Sequence, residues 1–95
     1  MEQLSIDYLT KLKEEFNYSL STYIRAVTQI GGKELSASLR NLRKVIEETN
    51  NYTDIYRDKL QDVITLSEII KRKKVNKENY SIELEILSDA KYILN

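Results

Sequence analysis

From Ile6 onward apolar residues recur every three or four positions, at Leu9, Leu12, Phe16, Leu20, Tyr23, Val27 and Ile30. Such steps average the 3.6 residues of an α-helical turn, so these side chains share one face of an amphipathic helix. Ser5 is placed to cap its start, and Gly31 or Gly32 to close its end in the left-handed conformation.

A second stripe runs Leu35, Leu39, Leu42, Ile46, Thr49, then Thr53, Tyr56, Leu60, Val63, Ser67 and Ile70. Its phase holds across "TNNYTD", where Asn50 and Asn51 are weak helix formers and Thr53 is a fresh capping residue. The pattern allows one helix of about 36 residues or two helices meeting there, and the unbroken phase favours a near-continuous helix, kinked or briefly interrupted. After Asn76, a good cap, two stripes share the last helix. Tyr80, Leu84, Leu87 and Leu94 form one, and Ile82, Ile86, Ala90 and Ile93 the other. That is more apolar surface than one bundle core requires. The predicted elements cover about 5–30, 33–50, 53–73 and 77–94, the middle two continuous or nearly so. No strand alternation or repeat interrupts them. The expected fold class is all-α, a single-domain small antiparallel helical bundle over residues 1–95 with a long, kinked central helix.

Composition narrows the chemistry more than the fold. The 95 residues carry fifteen basic and fifteen acidic side chains, a net charge of zero. A dedicated nucleic-acid binder is usually strongly basic, so contact with DNA is expected to be weak and non-specific at most. There is no histidine and no cysteine, which removes the commonest general base, the thiolate nucleophile and most zinc sites. The two glycines are adjacent and cannot build a phosphate-cradling loop. No run approaches the ~20 apolar residues of a membrane span, and no signal-peptide pattern opens the chain. The expectation is a soluble, cytoplasmic protein that is not an enzyme and carries no cofactor or metal.

Three groups of residues remain as candidates. Lys71, Arg72, Lys73 and Lys74 follow the last apolar residue of their stripe. There they either complement the negative end of a helix dipole or contact a phosphate or an acidic surface. Glu14–Glu15, Glu47–Glu48 and the Glu83/Glu85 pair cannot act as acid–base dyads, because adjacent helical residues point about 100° apart. Of the seven tyrosines, Tyr23 and Tyr56 fall on the stripes and are expected in the core. Tyr8, Tyr18 and Tyr52 fall off them and suit a protein interface, where tyrosine is enriched. With Tyr80, Ile82, Leu84, Ile86, Leu87 and Ile93 of the last helix they make up the expected interface set.

Two stretches resemble the helical A-domain of the archaeal GINS replication proteins. "LSIDYLTKLKEEF" is similar to the family's opening segment, keeping the acidic–aromatic step at Asp7 and Tyr8 but placing Ser5 where proline is usual. "IYRDKLQDVITLS" resembles its aliphatic–tyrosine–basic–aliphatic helix through Ile55, Tyr56, Lys59, Leu60, Val63, Ile64, Leu66 and Ser67. Asp58, Gln61 and Asp62 stand where basic residues are typical. The resemblance implies a non-catalytic scaffold in a homo- or hetero-oligomer with other GINS subunits, joining the MCM helicase to a RecJ-like partner. Family members also carry a small β-rich domain, so this chain corresponds to an A-domain alone, truncated or reduced. The alternative is a small stand-alone helical regulator, such as an immunity-type or secretion-associated protein.

Overall fold

The computed structural model describes residues 6–29 and 33–94, and among them every regular element is helical. Helix α1 spans Ile6–Thr28, α2 Lys33–Tyr52, α3 Arg57–Val75 and α4 Ser81–Ser88, followed by a 3-10 turn at Asp89–Tyr92. The all-α bundle is thus observed. Ser5, Gly31 and Gly32, expected to close the two ends of the first helix, and Ile30, the last apolar residue of its stripe, lie outside the described residues.

The stripes are the core. Leu12, Phe16, Leu20, Tyr23 and Val27 of α1 are buried, as are Leu35, Leu39, Leu42, Ile46 and Thr49 of α2. The hydroxyl of Thr49 donates to the Val45 carbonyl one turn back, at 2.8 Å, so its burial leaves no orphan donor. Tyr8 and Tyr52 meet edge to face with centroids 4.6 Å apart. They tie the start of α1 to the end of α2 and show that the pair runs antiparallel.

The central helix is not continuous, which corrects the sequence expectation. Residues 53–56 leave the helix, and α3 folds back along α2, for Arg43 of α2 forms an ion pair with Glu68 of α3. In one straight helix those residues would stand about 37 Å apart. The connector escapes detection by phase because its four residues are close to one helical turn, so the stripe is counted through it unbroken. Nor does Thr53 cap α3. Its hydroxyl only approaches the Ile55 N–H at 3.5 Å, and the helix starts after Tyr56 without a side-chain cap.

Helix α3 buries Leu60, Val63, Ser67 and Ile70 and runs parallel to α1. The Tyr23 hydroxyl, in the C-terminal half of α1, donates to the Ser67 carbonyl. The last helix begins at Ser81 rather than just after Asn76. Asn76 instead caps the end of α3, its N–H bonding the Arg72 carbonyl at 3.0 Å. Lys77 follows with φ 59°, and its N–H bonds the Lys74 carbonyl while that of Glu78 bonds Lys73. This double closure is a Schellman motif built on a lysine where glycine is usual. The Asn79 carboxamide then accepts from the Ser81 N–H at 2.8 Å, and α4 sets off back across α1 and α3. Leu87, Ala90 and Leu94 complete the core.

Candidate functional site

The four cations at the end of α3 divide by direction, since each residue turns 100° from the last. Lys73 faces α4 and pairs with Glu83 at 2.7 Å. That hydrogen bond holds the Glu83 carboxyl below its ordinary range. Lys74 faces α1, where its ammonium donates to the Val27 carbonyl and, at 3.1 Å, to that of Gln29. These are terminal carbonyls of a helix, where a cation complements the dipole. Tyr80 adds its hydroxyl to the same Val27 carbonyl at 3.3 Å. Half of the cluster therefore holds the bundle together. Lys71 and Arg72 make no ion pair among the described residues and border a groove between α2 and α3, with Leu39, Arg43, Glu68 and Val75.

The expected interface set also divides. Leu87 is fully buried and is withdrawn from it, because its stripe is the one that faces the core. Tyr80, Leu84 and Ile93 are half-buried and pack against that core, so they support α4 rather than present a surface. Tyr8 and Tyr52 spend part of their rings on each other. Three residues stand clear: Tyr18 at 74% exposure on α1, and Ile82 at 72% and Ile86 at 52% on α4. Exposure also marks Ile55, Val75 and Tyr92, none of them in the expected interface set. Ile55 and Val75 adjoin helix ends and Tyr92 lies off both terminal stripes, so periodicity gave no signal for them.

Glu15 pairs with Lys11 at 3.8 Å, Glu83 with Lys73, and Glu14, Glu47 and Glu85 lie exposed. No cluster of acidic side chains able to hold a metal occurs among the described residues. Burial pushes the Tyr23 hydroxyl well above its ordinary value, with Arg43 opposing in part, so the group stays a neutral donor to Ser67. No helix is long and apolar enough to cross a membrane among the described residues. Comparisons with protein-family models, curated proteins and solved structures give no match to this chain.

Proposed function

We propose that the chain is a non-catalytic, cytoplasmic helical interaction module whose contact surface is the outer face of α4. One observation carries the reading. Ile82 and Ile86 stand one turn apart and largely exposed on a helix whose other side is already committed to the core. Neighbours at that spacing form one apolar surface, and burying it in a partner adds to a small domain's limited burial. Its specific form is the replication scaffold implied by the GINS resemblance, with other GINS subunits, the MCM helicase or a RecJ-like protein as partners.

The test is affinity capture of the tagged chain from native lysate, alongside an Ile82→Lys/Ile86→Lys variant whose helicity is checked by circular dichroism. Recovery of helicase or GINS subunits by the native chain, lost in the folded variant, supports the reading. Equal recovery by both removes α4 as the surface. Capture of a single toxin-like protein instead replaces the replication form with the stand-alone regulator.

A further inference from the structure

The outer face of α4 has a counterpart elsewhere on the same molecule. Ile82, Glu85, Ile86 and Asp89 are all exposed and, at 100° per residue, fall within an arc of about 100°. The face thus mixes two isoleucines with two carboxylates that enter no ion pair among the described residues. The α2–α3 groove has the opposite character. Arg43 and Glu68 neutralise each other, leaving Lys71 and Arg72 as the uncompensated charges of its wall. Val75 beside them is 67% exposed.

The two surfaces cannot meet within one chain. On α3 the core positions Leu60, Val63, Ser67 and Ile70 lie between Lys73 on one flank and Glu68, Lys71, Arg72 and Val75 on the other. Lys73 holds Glu83 of α4, and Tyr80 is bonded to Val27, so α4 is fixed on the flank away from the groove.

We propose that the outer face of α4 docks into the α2–α3 groove of a second copy of this chain. Glu85 and Asp89 then meet Lys71 and Arg72, while Ile82 and Ile86 cover Val75. The inference rests on the reading of α4 as a contact surface and names its occupant. Complementary charge favours this pairing over the two like-charged pairings, α4 on α4 and groove on groove. A net charge of zero leaves no overall repulsion between copies. The contact joins two different surfaces, so copies add head to tail, closing into a ring or extending as an open chain according to the rotation between them. A helix of two turns makes a contact below the standard interface size, so association is weak and salt-sensitive.

Sedimentation equilibrium of the intact chain over a concentration series tests the proposal. At low salt the mass is expected to climb above the 11.2 kDa of one chain and to fall back as salt is raised. Lys71→Glu/Arg72→Glu and Glu85→Lys/Asp89→Lys should each weaken association by about tenfold or more. Combining all four substitutions should restore it, a recovery that general loss of structure cannot imitate. A native chain that stays at one-chain mass throughout overturns the proposal, as does association indifferent to the groove charges. If partner capture through α4 survives Lys71→Glu/Arg72→Glu while the chain remains monomeric, self-docking fails and the contact-surface reading stands.

Discussion

The α1–α2 hairpin and the α4 segment are built from the same kinds of side chain and use them in opposite ways. In the hairpin each stripe finds a facing stripe, and Phe16, Leu20, Leu42 and Ile46 are closed off from water. In α4 one stripe closes the core through Leu87 while Ile82 and Ile86 point outward. Two long helices can bury their apolar faces against each other. A short terminal helix laid over a finished bundle has room to bury only one side. Apolar residues in the first region therefore report on stability, and those on the outer face of α4 are left in contact with water.

The largest effects should expose that contrast directly. Leu42→Ala empties space in the closed seam and should cost about 2–5 kcal/mol, a large share of the ~5–15 kcal/mol total of a domain. Ile82→Ala removes a side chain already in water and should stay within about 0.5 kcal/mol. Urea unfolding of both variants measures the difference. A loss at Ile82 as large as that at Leu42 would break the contrast and place α4's outer face inside the structure.

A middle-sized effect tests how α3 is held to the hairpin. Tyr23→Phe removes the hydrogen bond to the Ser67 carbonyl and should cost about 1 kcal/mol at neutral pH. The pH dependence carries the sharper signature. Burial raises the folded-state pKa of Tyr23 above its unfolded value of 10.0. Its contribution is therefore complete below pH 10.0 and declines as pH rises beyond it, because the unfolded chain ionises first. The native protein should lose stability above that point faster than Tyr23→Phe, which has nothing to ionise at this position. Parallel curves would show that the hydroxyl is not buried as described.

Much of this contrast was legible in the chain, and its limits have physical causes. The burial of Leu35, Leu39, Leu42, Ile46 and Thr49 follows from spacing, because a stripe has only one side to hide. The reversal at 53–56 does not, since a connector of about one helical turn preserves the phase that would betray it. Nor could spacing say which stripe of the last helix faces inward. That was settled by the direction in which α4 leaves the turn after α3, which put Leu87 in the core and Ile82 outside. The fates of Lys73 and Lys74 were equally hidden, for four cations in a row look alike until their neighbours Glu83 and Val27 are in place.

A gain rather than a loss is expected at the turn that sets this direction. Lys77 holds φ 59°, a conformation that costs a residue bearing a Cβ roughly 1–2 kcal/mol and glycine little. It is retained because the N–H groups of Lys77 and Glu78 close onto Lys74 and Lys73, whose side chains in turn hold α1 and α4. Lys77→Gly keeps that closure and relieves the crowding, while the freer unfolded chain takes back part of the gain. The net expectation is a stabilisation of about 0.5–1 kcal/mol, seen as a higher urea midpoint at unchanged slope. The α4 contacts should be untouched, so association should be too. A destabilised Lys77→Gly would mean that the lysine side chain itself helps to seat α4, and that the boundary between the two regions lies one residue further on.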